Sequence, residues 1–349
     1  MLLMQPILLP SNQPRARFYR GGARISAFRG EEDHGSHTPE DWIASTTRVR
    51  GQDAGETILP GGEPLAAAIA ADPLAWLGRE HVEAFGADTK LLVKLIDAGQ
   101  RLPVHAHPNT EFAHAHLGEA HGKAEAWYIL APGEVYVGLR HDVSAAELAA
   151  LVRTQNVQEL LALLHRVEVA AGDSVFVPPG VLHAIGAGIV LAEVQEPEDL
   201  SILLEWRDFD LDGAKDGHLD LGFDVALQAV EVRARSNEEI DTLIVRASGS
   251  GTRRSGDGHA RSESTVRDAL ASGADPFFRL EHALIDGAQL FEPGFAVIIV
   301  LEGEFLLRPD AGKPLSLQRG STVVVPHASG RFTLDGVGET LVARPPLAH

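Results

Sequence analysis

The sequence predicts a mainly β fold built as two jelly-roll barrels, with a helical insertion in the first. Three observations predict it. Bulky runs such as Glu125-Ala-Trp-Tyr-Ile-Leu and Ala296-Val-Ile-Ile-Val-Leu301 are bounded by Gly and Pro turns, as strands are. Gly320-Ser-Thr-Val-Val-Val-Pro326 repeats the Gly-x5-Pro frame of Gly172-Asp-Ser-Val-Phe-Val-Pro178, so the chain reads as starting over from about residue 228. Two stretches, at about 64–86 and 144–166, carry helix-starting signals instead. The expected division is 1–227 and 228–349.

The elements follow in order. Residues 15–60 read as strands and turns, with Arg24-Ile-Ser-Ala-Phe28 and Trp42-Ile-Ala-Ser-Thr-Thr-Arg48 as strand runs. Over 64–86, Asp72 can cap and Pro73 suits the first helical position, while Leu74, Leu77, His81, Val82 and Phe85 form a mostly apolar stripe. Lys90-Leu-Leu-Val-Lys94-Leu-Ile96 returns to strand, and strands continue from His105 to Val137. Ser144-Ala-Ala-Glu147 and Asn156-Val-Gln-Glu159 read as capping boxes, which predicts two short helices. Strands resume over 167–206, and an Asp- and Gly-rich loop covers 207–222. In the second half, Leu284-Ile285, 296–307 and 320–326 are strand runs, and 247–265 is a polar Gly/Ser loop.

Composition narrows the function. The chain has 349 residues, 44% hydrophobic and 23% charged, enough for two domains with a sizeable core. With no cysteine, a disulfide scaffold is excluded, and any metal must be held by nitrogen and oxygen. Residues Met1 to Pro10 are too short and uncharged for a signal peptide, and no run is long enough to span a bilayer. The expectation is a cytoplasmic protein with no membrane partner. A net charge of −19 argues against nucleic acid, yet leaves room for a small phosphorylated substrate in a locally positive pocket. Nothing in the pattern fixes an oligomeric state.

Two segments read as the halves of one metal site. The first is Gly99-Gln-Arg-Leu-Pro-Val-His105-Ala-His107, followed by Glu125 and Gly133. The second runs from Gly172 through Pro178-Pro-Gly180 to His183. Residues i and i+2 of a strand share a face, so His105 and His107 aim side by side. Three imidazoles and a carboxylate suit zinc, with Fe2+ or Mn2+ as alternatives. This order resembles the double motif of the cupin superfamily, with a long stretch between His107 and Glu125 and with Ala187 where Asn is usual. His114, His116 and His121 crowd that stretch without a Gly-Pro frame and read as surface loop residues. His34 and His37 lie in an acidic turn and read as solvated.

Further pieces sharpen the resemblance. Leu91-Leu-Val-Lys94-Leu-Ile, His105-Ala-His107-Pro108-Asn109, Gly122-Lys123-Ala-Glu125-Ala-Trp127-Tyr128-Ile129 and Phe176-Val-Pro-Pro-Gly180-Val-Leu-His183-Ala-Ile-Gly186 look like class I mannose-6-phosphate isomerase over most of the chain. The resemblance implies a zinc enzyme that interconverts mannose 6-phosphate and fructose 6-phosphate, with a metal-binding cupin domain and a second cupin-like domain without metal. It implies His105, His107, Glu125 and His183 as ligands, the first being usually Gln in the family. It also implies pocket lysines at Lys94 and Lys123, a pocket carboxylate at Glu193, and an acidic residue at Asp199. The family's catalytic arginine falls on Leu203, which leaves Arg207 as the nearest candidate replacement. Arg20 and Arg24, beside Gly21-Gly22, are candidate phosphate contacts.

Aldose–ketose isomerisation needs a Lewis acid beside the carbonyl and a base that reaches the C2 proton. Lys123 precedes Glu125 by two residues and should face the same way, as an acid/base or substrate-oxygen contact whose pKa a neighbouring Zn2+ can depress. Lys94 lies in an apolar run, where a lysine needs a partner. The candidate catalytic residues are therefore Lys123, Lys94, Glu193 and Arg207. The partner expected is a small sugar or sugar phosphate. Other readings fit the same residues: an isomerase of another or non-phosphorylated sugar, a cupin oxidoreductase or dioxygenase, and a catalytically inactive sugar-binding cupin.

Overall fold

The computed structural model describes residues 4–247 and 264–348. The chain is mainly β, and its named strands pair antiparallel in three sheets. A six-stranded sheet runs in the order Ile244–Val245, Ser174–Val177, Glu125–Ala131, Val190–Gln195, Leu92–Asp97, Glu40–Ile43. A five-stranded sheet runs Ile202–Leu203, His105–Ala106, His183–Ile185, Gly133–Leu139, Leu164–Val169. Together these two sheets carry the candidate metal ligands.

The third sheet has seven strands, dominated by the long strands Arg279–Phe291, Ala296–Pro309 and Phe332–Arg344. Its N-terminal contributor is Ile7–Leu9, which pairs with Thr322–Val325. The alternation of side chains explains the continuous apolar run at 296–301. Val297, Ile299 and Leu301 join the core shared with Trp127, Val175 and Phe176, whereas Ile298 and Val300 pack with Phe305, Leu307, Phe332 and Leu334. A strand buried on both faces needs apolar residues at every position. Gly172 and Gly320 both turn with positive φ, at 87° and 84°, and each is followed by a short buried strand, Ser174–Val177 and Thr322–Val325.

Helices fill the gaps between strands. Ala145–Thr154 and Val157–Ala162 lie between the strands Gly133–Leu139 and Leu164–Val169. The side chains of Ser144 and Asn156 accept from the amides of Glu147 and Glu159 at 3.2 and 3.5 Å. These helices bury Leu148, Leu151, Val152 and Leu160 against Leu182, Ala184, Ile202 and Leu204, so they back the sheet that carries His183. Over 64–86 the chain forms three short helices, Leu65–Ala71, Pro73–Leu77 and Arg79–Phe85. Asp72 caps the second, accepting from Ala75 at 3.1 Å, and Gly78 (φ 87°) ends it. The stripe breaks accordingly: Leu77 is buried but Leu74 faces solvent.

Several expectations change. Arg24–Phe28 lies within a helix, Ala23–Arg29, rather than a strand. Its apolar residues Ile25 and Phe28 are three apart, a helical spacing. The strand beginning before Trp42 stops at Ile43 because Ala44 adopts a left-handed φ of 50°. The stretch after His107 holds a helix, Thr110–Leu117, capped by Asn109, which presents His114 and His116 to solvent. His121 is buried between Asp88 at 2.8 Å and the Lys90 ammonium at 3.0 Å. His37 is half-buried, its Nδ1 2.8 Å from the carbonyl of Arg17. Most of the 247–265 loop lies outside the described residues. Among those described, no helix is long and apolar enough to cross a membrane.

Candidate metal centre and its cavity

Strand register assembles the four ligand candidates. His105 pairs directly with His183 across the five-stranded sheet, and Leu203 pairs with His105 on its other side. His107 follows two residues on, and Glu125 opens its strand in the six-stranded sheet. One ligand atom from each of His105, His107, Glu125 and His183 lies within 4.8 Å of the others, and all four residues are buried. The two sequence halves are stitched at Gly180, whose amide donates to the carbonyl of His107 at 2.7 Å. Gly180 has φ 85°, and a Cβ there would stand 3.1 Å from the carbonyl oxygen of Ala229.

The proton inventory fits a cation at this point. Nδ1 of His105, His107 and His183 lies 2.8, 2.6 and 2.8 Å from the carbonyls of Pro103, Leu200 and Val181. A ring that donates from Nδ1 presents a lone pair at Nε2. Three lone pairs and a carboxylate therefore converge in a buried space, where unpaired acceptors are costly. Lys123 donates toward His107 Nε2 and Glu125 Oε2, at 3.0 and 2.7 Å. His105 Nε2 and His183 Nε2 face each other at 2.9 Å. Burial, with the neighbouring His183 and His107, pushes the His105 ring well below the usual imidazole range. Burial and then Lys123 bring His107 down to about 3. Both rings are thus neutral, as ligands must be. The donor set of three nitrogens and one oxygen fits a borderline divalent metal.

A cavity of about 440 Å³ opens over this cluster, lined by His105, Glu125 and Lys123 together with Lys94, Glu193 and Leu203. Lys94 and Glu193 are register partners in the six-stranded sheet, with Nζ 3.5 Å from Oε1. That Oε1 is buried and has no hydrogen-bond partner among the described residues. Burial, and then the charge of Glu125, raises the Glu193 carboxyl above the usual range. For Lys123, burial works downward, but Glu125 and Glu193 outweigh it and the ammonium is held above its usual value.

Glu40 and Arg17 were not visible as site residues in the sequence. Glu40 accepts from Arg17 Nε and Tyr19 Oη at 2.8 Å each and from Trp42 Nε1 at 2.7 Å, and lies 3.7 Å from Lys94. Burial works to raise its carboxyl, but Arg17, then Lys94, then the hydrogen bonds hold it at about 2. Arg17 and Arg50 both line the cavity, as does Asp199. Arg207 does not: it is exposed, donating to the carbonyl of Thr154 at 3.2 Å. Arg20 and Arg24 also stay outside, tied to Gln100 and Asp97.

The chain is 29% identical over 264 residues to mannose-6-phosphate isomerase ManA of Bacillus subtilis, covering 72% of this chain and 74% of that protein. It is 30% identical over 220 residues to the mannose-6-phosphate isomerase of Streptococcus mutans, covering 61% and 63%. Among solved structures, the mannose 6-phosphate isomerase of Bacillus subtilis matches with a TM-score of 0.72 at 23% identity, over 97% of this chain and 99% of that one. The apo form of the Salmonella typhimurium enzyme matches with a TM-score of 0.71 at 16% identity, over 99% and 100%. At these identities the structural matches establish the fold. No protein-family model matches the chain.

Proposed function

We propose that this chain, a member of the class I mannose-6-phosphate isomerase family, is a zinc-dependent aldose–ketose isomerase acting on mannose 6-phosphate and fructose 6-phosphate. The observation that carries the reading is the convergence of three imidazoles and Glu125 beneath a cavity that also holds Lys123, Lys94 and Glu193. His105, His107, Glu125 and His183 would hold the metal. Zinc, when bound, supplies Lewis acidity that lowers the cost of negative charge on the sugar oxygens.

The remaining chemistry belongs to the side chains. Glu193 takes the C2 proton and returns it at C1. Burial and the charge of Glu125 raise its carboxyl, which strengthens it as a base. Lys94, 3.5 Å away, orients Glu193. Lys123, held as an ammonium beside Glu125, donates to a sugar oxygen. Arg17, Arg50, Lys94 and Lys123 line the cavity among seven carboxylates, and the half-exposed Arg50 is the cation assigned to a sugar phosphate. Catalysis rests in residues 1–227; the region 228–349, where no candidate metal cluster lies among the described residues, adds the edge strand Ile244–Val245 to the six-stranded sheet and packs on it through the shared core.

The test is a panel of aldoses and their 6-phosphates incubated with zinc-loaded protein, with ketose formation followed. Mannose 6-phosphate should be turned over fastest. Equal rates on free mannose would remove the phosphate from the reading, and no conversion of any sugar would remove isomerisation.

A further inference from the structure

Removing the C2 proton breaks a C–H bond and moves an electron pair onto the carbonyl oxygen, so an enediolate charge must be met inside the cavity. Beside ligand His105, the register places Leu203, which lines the cavity without a charge. Lys123 is engaged with Glu125, and Lys94 lies between Glu40 and Glu193. Arg50 is 37% exposed and answers to Asp220 and Glu119.

Arg17 differs from all of these. Its side chain is only 10% exposed and lines the same cavity. Glu40 binds Nε at 2.8 Å, and Asp199 lies 3.7 Å from Nη1. Among the described residues Nη2 has no hydrogen-bond partner. The backbone is fixed on both sides by His37: the Arg17 amide donates to the His37 carbonyl at 3.1 Å, and His37 Nδ1 lies 2.8 Å from the Arg17 carbonyl. Ala16, just before, turns the chain through a left-handed φ of 59°, a conformation that costs an alanine about 1 kcal/mol or more. The fork is therefore preorganised, with one face spent on Glu40 and another open. Glu40 also touches Lys94, which touches Glu193, so Arg17 stands three contacts from the proposed base.

We infer that Arg17 is a catalytic residue: its guanidinium, delivered by the N-terminal segment, stabilises the negative charge that builds on the sugar's reacting oxygens, on a wall where the neighbouring strand offers only Leu203. This assignment rests on the isomerase reading and adds to it a residue that the motifs do not contain.

The test compares zinc-loaded wild type, Arg17→Ala and Arg17→Lys on mannose 6-phosphate, with zinc per chain measured for each. Loss of one charge-stabilising donor predicts a kcat about a hundredfold lower in Arg17→Ala, with KM within about threefold and zinc unchanged. Millimolar guanidinium should restore at least about tenfold of that loss, where the same concentration of sodium chloride does not. Arg17→Lys keeps a cation against Glu40 and so protects the fold. It should still lose about tenfold in kcat, because an ammonium lacks the fork. Full kcat in either variant, or a loss confined to KM, overturns the assignment. A wild type that converts no sugar overturns the isomerase reading itself, which separates the two failures.

Discussion

His105 Nε2 and His183 Nε2 face each other at 2.9 Å while the Nδ1 of each ring lies at hydrogen-bond distance from a backbone carbonyl. Two lone pairs so placed repel unless a cation lies between them. The proposed metal would therefore support the fold as well as the chemistry. Purified protein should carry about one divalent ion per chain, and His183→Ala should carry less than about a tenth of that, by elemental analysis. Chelation should lower the wild-type melting temperature, and zinc should restore it, since an ion bound only by the native state stabilises it by mass action. Full occupancy in His183→Ala would move the site elsewhere.

Glu193→Gln keeps the shape of the side chain and removes its ability to take a proton. Turnover should fall by a factor of about 100 to 10,000, with metal content unchanged. Lys123→Ala should also cut turnover sharply with metal retained. If Lys123→Ala instead loses the ion, its ammonium serves to balance Glu125 rather than to contact sugar.

Glu40 sets a pH dependence whose sign follows from its environment. Its carboxyl sits at about 2 in the folded chain against an unfolded value near 4.5. The unfolded chain therefore binds the proton first on acidification. The contribution of Glu40 is complete above about pH 4.5 and is lost as pH falls toward about 2, amounting to about 3 kcal/mol. Glu40→Gln should lower stability at pH 7 and flatten the stability profile in that acid window, read by urea unfolding. An unchanged slope would mean that Arg17 and Lys94 do not hold the carboxylate as described.

Gly180 joins the two halves of the site through the His107 carbonyl. Its positive φ and the nearby Ala229 carbonyl leave little room for a side chain. Gly180→Ala should destabilise the protein by about 1 kcal/mol or more, and it should weaken zinc binding in parallel. Lost stability with unchanged zinc affinity would show that the turn does not position His183.

The ligand candidates were legible because their geometry is local. A strand alternates faces whatever surrounds it, and the Gly and Pro frames turn the chain within a few residues. Lys123 and Glu125 meet for the same reason. Lys94 and Glu193 needed more: only sheet pairing makes them neighbours, and the resemblance, rather than any periodicity, singled them out. Arg17, Tyr19 and Glu40 were not legible. They come from a segment with no repeating pattern, and what gathers them is one buried carboxylate. His121 was misread for a related reason, since its partners Asp88 and Lys90 lie about thirty residues upstream. Arg207 is near Leu203 in sequence alone: its side chain points to Thr154 and solvent.

The most direct test of the central claim is proton exchange at the sugar in D2O. Zinc-loaded protein incubated with mannose 6-phosphate should form fructose 6-phosphate and introduce deuterium at the carbon that receives the transferred proton, followed by NMR. Both signals should vanish on chelation and return with zinc. A chain that holds one zinc and yet forms no ketose and exchanges no carbon-bound proton would contradict the account.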